Sequence, residues 1–508
     1  MSLNTRTLVV SNIKLPVDAS FQEAFSVAEK RLKKAKAFAR GCEYKVYKKS
    51  VDARNKNDIC FVYSVSASGE FPKLDGALLS ENGITELSDC GELKIEYGDL
   101  PSENPPLVVG SGPAGLFAAL LLAENGYRPT VIERGSKISE RQRIVESFNV
   151  NKTLNTETNI QFGAGGAGTF SDGKLVTRIN DPLSAYVMKK FVEFGAPEEI
   201  LYLAKPHIGT DVLAPLIDRM LGRIEELGGR VLYNTRYERS ERVRGVNVAK
   251  TTREDIPYSV LILAIGHSAR DTYQSLIKEG YSIEAKPFSV GMRIEHLREN
   301  IDYAMYGSFA GHPALGHAEY NLSHNTKERG VYTFCMCPGG EVVAAASEEN
   351  SVVVNGMSRH KRDGVNSNSA VVCSVFKEDY GATPLSAIEF QRKIERAAFV
   401  SGGSNYSAPI ITVGDFLSDK CITEPQIVIP TYMQSDSVKL ASPDSYLPPF
   451  VTNAIKNALI SFDKKISGFA SSDAVLTGAE TRTSAPIRIL RDKLSRSAIG
   501  RDDIYPAG

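Results

Sequence analysis

Three glycines at fixed spacing raise the first question of chemistry. Gly110, Gly112 and Gly115 fit G-x-G-x-x-G within Leu107-Val108-Val109-Gly110-Ser111-Gly112-Pro113-Ala114-Gly115-Leu116. An apolar run leads in, and an alanine- and leucine-rich run follows as far as Asn125-Gly126, where glycine can stop a helix. A second apolar run, Pro129-Thr130-Val131-Ile132, ends on Glu133. That acid lies about 20 residues on, as a dinucleotide fingerprint requires. Gly110 permits the sharp strand-to-helix turn, Gly112 lets a pyrophosphate reach the backbone, and Gly115 lets helix and strand pack closely. Pro113 and Ala114 open the helix, whose free N–H groups and positive dipole end suit phosphates. Glu133 can accept from the two ribose hydroxyls of an adenosine. Arg134 and Arg141, in the stretch that follows, are counted with the expected cofactor contacts.

A second glycine cluster runs from Gln161 to Lys174 and again spells G-x-G-x-x-G, at Gly163, Gly165 and Gly168. No long apolar strand precedes it and no second strand ends on an acid, so it is not a second nucleotide fold. So much glycine instead allows a backbone to press against a ligand. Gly163, Gly165, Gly166, Gly168, Thr169, Asp172 and Gly173 are therefore expected along the cofactor, with Lys174 or Asp172 near its reactive ring. Val260-Leu261-Ile262-Leu263-Ala264-Ile265-Gly266 resembles the second strand motif of two-dinucleotide-fold flavoproteins and points to FAD, with Ala264 and Gly266 as contacts. His267 follows it, at the carboxyl end of a sheet strand, where ligands bind. His267 and Lys174 are the catalytic candidates, and Arg270 is a candidate phosphate or substrate partner. No further fingerprint is present, so NAD(P)H, if used, docks transiently.

Other patterns are weaker. Cys335-Met336-Cys337 is C-x-C, which in one strand points both thiols to the same face; it reads as a structural pair near the flavin, and no metal site is expected. Neither G-x-S-x-G nor H-E-x-x-H occurs.

These groups need elements to hold them. A chain of 508 residues, 42% hydrophobic and 24% charged, has room for two or three cores. Lys+Arg and Asp+Glu are both 60, which gives no electrostatic case for nucleic acid or an anionic membrane. No apolar run reaches the ~18 residues of a membrane span, and the first residues lack a signal core. Seven scattered cysteines, an odd number, suggest reduced thiols and a cytoplasmic setting. Residues 1–98 read as a separate ferredoxin-like α+β domain: strand 7–15, helix 20–39, strands 44–51 and 59–66, a weaker helix 74–82 and a strand Leu93–Tyr97. A proline-rich linker (99–106) leads to the first part of a Rossmann-like α/β FAD-binding domain (107–284). An α+β substrate or cap domain (285–470) is inserted, with antiparallel strands expected on either side of Pro338-Gly339-Gly340. Residues 471–508 return to the FAD-binding domain.

With these motifs in place, the chain resembles the NAD(FAD)-utilising dehydrogenases, glutathione-reductase-like two-dinucleotide-fold flavoproteins. The likeness is carried by Val108–Gly115, Val131–Gly135, Phe162–Lys174, Gly266–Asp271, Pro287–His296, Phe334–Gly340, Val354–Ser358 and Glu480–Arg488. It implies FAD, hydride transfer through the flavin, a bacterial cytoplasmic setting, and a small-molecule substrate or electron acceptor that it does not identify. Such proteins close with a strand, then Gly-Asp or Gly-Glu, then a helix facing the flavin. Ile504-Tyr505-Pro506-Ala507-Gly508 reads as that strand and its first glycine. Gly508 is therefore counted as a contact, and the return over 471–508 is expected to be incomplete. Two other classes stay open: a flavin-binding RNA- or protein-docking module using the basic helix around Lys30–Lys36, and a flavin-dependent monooxygenase.

Overall fold

Alternation of apolar and polar residues builds the first unit. In the computed structural model, which describes residues 6–72, 74–87, 95–97, 103–177, 181–419, 423–433 and 436–507, it comprises residues 1–98, 174–208 and 302–318. Strands β1 (Arg6–Pro16), β2 (Glu43–Asp52), β3 (Cys60–Gly69) and β4 (Ile84–Glu86) form an antiparallel sheet in the order β2-β3-β1-β4. Helix α1 (Phe21–Lys34) begins on a capping box, Ser20 with Glu23, and buries Ala24, Ala28 and Leu32 against β1 and β3. With α2 (Gly76–Glu81) the order is β-α-β-β-α-β, the ferredoxin-like arrangement. The closing strand differs from expectation. Gly83, at φ 66°, ends α2 early, and Ile84 pairs at once with Val10. Of the expected strand, 93–94 lie outside the described residues and 95–97 are irregular. Residues 174–208, assigned by sequence to the FAD-binding part, belong to this unit: Lys49 N–H donates to Tyr202 O at 2.7 Å, and Ala204 N–H to Lys49 O at 2.9 Å.

The second unit comprises 99–173, 209–301 and 319–508. Strands β5 (Leu107–Val109), β6 (Thr130–Ile132), β7 (Arg230–Leu232), β8 (Leu261–Leu263) and β9 (Ile504–Pro506) make a parallel sheet ordered β9-β8-β5-β6-β7. Helices α3 (Pro113–Glu124), α4 (Ile138–Asn151) and α5 (Thr210–Glu226) belong to the same layer set, and α3 packs on α5. Beyond β8 lies α6 (Arg270–Lys278). A seven-stranded, mainly antiparallel sheet has Phe288–Leu297 at its centre, between Asn366–Val375 and Val475–Glu480, and α7 (Pro384–Ser401) packs near it.

Two expectations fail here. Glu341–Ala344 pairs with Val354–Met357 and not with Gly330–Cys337, so the glycine turn makes no hairpin. Gly339, at φ 51°, lies so close to the Arg362 carbonyl that a Cβ would overlap it, and the chain leaves the large sheet there. The return to the parallel sheet is also shorter than 471–508, because Val475–Glu480 is an inner strand of the large sheet and only β9 rejoins β8.

Candidate cofactor site

Strand order fixes where a ligand can sit. From β5 the chain runs outward to β6 and β7, then crosses to β8 and β9 on the other side, so β5 and β8 flank the topological switch point. Ligands of open α/β sheets bind in the crevice beyond the carboxyl ends at that point. A cavity opens there, lined from β5 by Gly110, Gly112, Pro113 and Ala114, and from β8 by Ala264, Gly266 and His267. Glu133 and Arg134 after β6 close one flank, with Gly166 and Gly168 across from Gly112. Also in the lining are Thr235, Arg236 and Tyr237, beyond β7, and Ala507, beyond β9. These last four were missed from sequence, although each follows a parallel strand at its carboxyl end and so carried a readable signal.

The glycines are there because a side chain does not fit. At φ 96°, Gly110 turns the chain, and a Cβ on it would overlap the Ala264 carbonyl. A Cβ on Gly115 would overlap the Gly110 carbonyl, since α3 packs directly on the turn. A Cβ on Gly166 would come within 2.9 Å of the Gly112 Cα. Two bare backbones thus face each other across the groove. No side chain caps α3, whose N-terminus begins at Gly112 and Pro113. That combination suits a pyrophosphate.

Glu133 is buried and does structural work as well. Its Oε2 accepts from the Ser111 N–H at 2.9 Å and hydroxyl at 2.8 Å, and its Oε1 from the Gly135 and Gly163 N–H groups, both at 3.0 Å. Arg134 lies over the Phe162 ring, 4.0 Å from its centroid, and pairs with Glu157 at 3.1 Å and Asp271 at 3.0 Å.

Several expected contacts stand behind the groove instead. Arg141 is fully buried, and its guanidinium donates to the carbonyls of Asn159, Ile160, Ala164 and Gly166. Burial lowers its pKa to about 10, so it stays charged and holds the second glycine cluster from within rather than meeting the cofactor. Gly163 is wedged against Arg141, and Gly165 against Thr169, whose hydroxyl donates back to Ala164 O at 3.1 Å. Asp172 is an ion-pair partner: Arg362 donates to it through Nε at 3.0 Å and Nη2 at 2.5 Å, and Ser358 adds a short hydrogen bond. Asp172 is fully buried on these partners and does not line the cavity. Gly173 turns the chain at φ 65°. Lys174 falls in the first unit, bridged through its backbone to His207. Gly508 lies outside the described residues.

The C-x-C pair also departs from expectation. A bulge between Phe334 and Cys337, with Cys335 at φ 47°, breaks the alternation that would put both thiols on one face. The Arg293 guanidinium donates to Cys335 O at 2.6 Å and pairs with Glu480 at 2.9 Å. No disulfide joins cysteines among the described residues.

Fold and crevice together define a Rossmann-like α/β dinucleotide-binding protein. Residues 108–158 match the family described as "NAD(P)-binding Rossmann-like domain", and residues 287–483 match "FAD-dependent protein, C-terminal domain-like". An uncharacterised protein of Clostridium beijerinckii is 44% identical over 98% of this chain and 93% of its own length. The chain belongs to the family of uncharacterised FAD-dependent dehydrogenases that these matches define, and FAD is its cofactor. Solved structures overlap more loosely. The L-amino acid deaminase of Proteus vulgaris is 15% identical, with 41% of this chain and 64% of that one covered and a TM-score of 0.26. The flavin-dependent halogenase CmlS is 14% identical, with 61% and 46% covered and a TM-score of 0.30. The chain spans less than two thirds of either of these solved chains. Among the described residues, no helix is long and apolar enough to cross a membrane.

Proposed function

We propose that this FAD-dependent oxidoreductase passes hydride equivalents through its flavin between a nicotinamide nucleotide that docks transiently and a small-molecule substrate or electron acceptor. The observation that carries the reading is the crevice between β5 and β8, where two glycine backbones meet over an uncapped helix N-terminus. When bound, FAD supplies the hydride chemistry, and the protein supplies position and field. The backbone at Gly112 and the first turn of α3 hold the pyrophosphate. Glu133 would hold an adenosine ribose hydroxyl at the position where it now accepts from the Ser111 hydroxyl. His267, at the end of β8, is the imidazole in the lining. The thiols and the neutral charge balance favour the cytoplasm as its compartment. The test is the visible spectrum of purified protein before and after anaerobic addition of NADH or NADPH. A flavin spectrum that bleaches is the expected result; a protein that neither carries nor takes up flavin refutes the reading.

A further inference from the structure

His267 lines the groove beside Gly266 and Ser268, yet its Nε2 is closed off from solvent and has no hydrogen-bond partner. Buried polar atoms left unpaired are rare in folded proteins and call for a reason. The charges around this imidazole supply one. Arg270, the first residue of α6, pairs with Glu395 on α7 at 2.7 Å and with Glu348 at 2.8 Å. Arg482, just past the inner strand Val475–Glu480, takes the same Glu395 at 3.1 Å. Arg392 on α7 takes the same Glu348 at 2.5 Å. Each carboxylate is thus shared by two guanidinium groups. Lys286, before Phe288–Leu297, also bears on the ring, and among the described residues it pairs with no carboxylate. Of these groups, Arg270, Arg482 and Lys286 bear on the His267 ring, against the single carboxylate of Glu395.

We propose that the carboxyl end of β8 around His267 is an oxyanion-binding position of the groove, at which a bound phosphate or carboxylate is met by His267 as an imidazolium. The inference rests on the flavin reading above. An ion-pair lock tying α6 to α7 accounts for Arg270, Arg482 and Glu395. It does not account for an unpaired Lys286, nor for a histidine stranded beside a surplus of positive charge. A missing negative charge accounts for both. Burial first, then Arg482, Arg270 and Lys286, lower the His267 pKa to about 4, with Glu395 opposing, so the ring is neutral at pH 7. An oxyanion alongside offsets that field and favours the protonated ring, which takes its proton from solvent. The same chemistry has two sources: the pyrophosphate of FAD, or a carboxylate on the substrate.

Affinity for the anion should then rise as pH falls. If the oxyanion returns His267 to its ordinary pKa of about 6.5, FAD affinity rises about twentyfold between pH 7 and pH 5. The experiment measures FAD binding to the flavin-free full-length chain by flavin fluorescence from pH 5 to pH 8. A second arm titrates the flavin-loaded protein with trifluoroacetate, which is fully ionised throughout, and follows the flavin spectrum. His267→Asn should flatten the pH dependence, and Lys286→Gln, at a half-buried site, should shrink it. A rise in the FAD arm assigns the position to the cofactor phosphate; a rise in the trifluoroacetate arm alone assigns it to a substrate carboxylate. Flat profiles in both arms, with His267→Asn indistinguishable from wild type, overturn the inference. No FAD binding at any pH refutes the flavin reading instead.

Discussion

Replacing Arg141 should release the second glycine cluster and, with it, the cofactor. Its Nε reaches Asn159 O at 2.9 Å, its Nη2 reaches Ile160 O at 2.9 Å, and its Nη1 reaches Ala164 O at 2.6 Å and Gly166 O at 2.9 Å. Those four carbonyls come from three sides, and only a planar fork of donors meets them together. Lysine has three donors on one nitrogen against these four carbonyls; methionine strands three of them, Ala164 O keeping the Thr169 hydroxyl. A buried acceptor without a partner costs about 1–3 kcal/mol, so a rigid loop in Arg141→Met would lose about 3–9 kcal/mol. The loop need not stay rigid, because it can open to water. Global destabilisation is therefore capped at the cost of that opening, about 3–5 kcal/mol, as for other broken buried charge sites. The opened loop no longer holds Gly166 against Gly112, so FAD affinity should fall at least tenfold, an affinity change of about 1.4 kcal/mol. Urea unfolding gives the first quantity, flavin fluorescence the second, and limited proteolysis within 152–170 shows whether the loop has opened. Arg141→Lys should fall between wild type and Arg141→Met on all three. An Arg141→Met protein with wild-type FAD affinity and an uncut loop would refute the assignment.

Glu395→Gln leaves Arg270 and Arg482 buried without their shared carboxylate, and should cost about 3–5 kcal/mol in urea unfolding at pH 7; a loss below about 1 kcal/mol would show that water or relaxation compensates. Gly115→Ala sets a methyl against the Gly110 carbonyl and should cost at least the ~1–3 kcal/mol of ordinary overpacking, read as a lower Tm with reduced flavin content. His296 is buried, and burial lowers its pKa to about 4 while its Nε2–H donates to Phe469 O at 2.8 Å. The unfolded chain binds that proton first, so stability is complete above about pH 6.5 and declines toward pH 4, by about 3 kcal/mol. Urea midpoints between pH 7 and pH 4.5 should fall less steeply in His296→Gln than in wild type.

What could be read from sequence was whatever depends on neighbouring residues. The turn at Gly110, the packing of Gly115 and the capping box at Ser20 and Glu23 are local requirements, and each is visible in a window of a few residues. Charged residues inside the second glycine cluster misled for the opposite reason. A ligand contact and a structural ion pair use the same residue types, and the partner of Asp172 is Arg362, 190 positions away. Arg141 looked like a cofactor contact because nothing local shows that five-donor geometry being spent on backbone carbonyls. The bulge at Cys335 was hidden too, since strand alternation holds only while register does. Glu395 carries no sequence signal at all; it is an acid in an amphipathic helix until Arg270 and Arg482 converge on it.

The charge along the groove bears on which dinucleotide it takes. At the flank beside Glu133, Arg134 and Arg236 share Glu157 and Asp271, with Arg236 at 2.9 Å and 3.8 Å from them. Two guanidinium groups against two carboxylates leave no free positive charge there, and Glu133 adds a negative one. A 2′-phosphate needs an uncommitted arginine at this position, whereas free ribose hydroxyls need only an acceptor. Across the crevice, at the end of β8, the balance reverses, with Arg270, Arg482 and Lys286 against Glu395 around His267. Positive charge is therefore withheld from the ribose and kept near the glycine turn of β5. A ligand whose ribose hydroxyls are free and whose negative charge lies at its centre matches that distribution. FAD has this pattern, and a cofactor carrying a ribose phosphate does not.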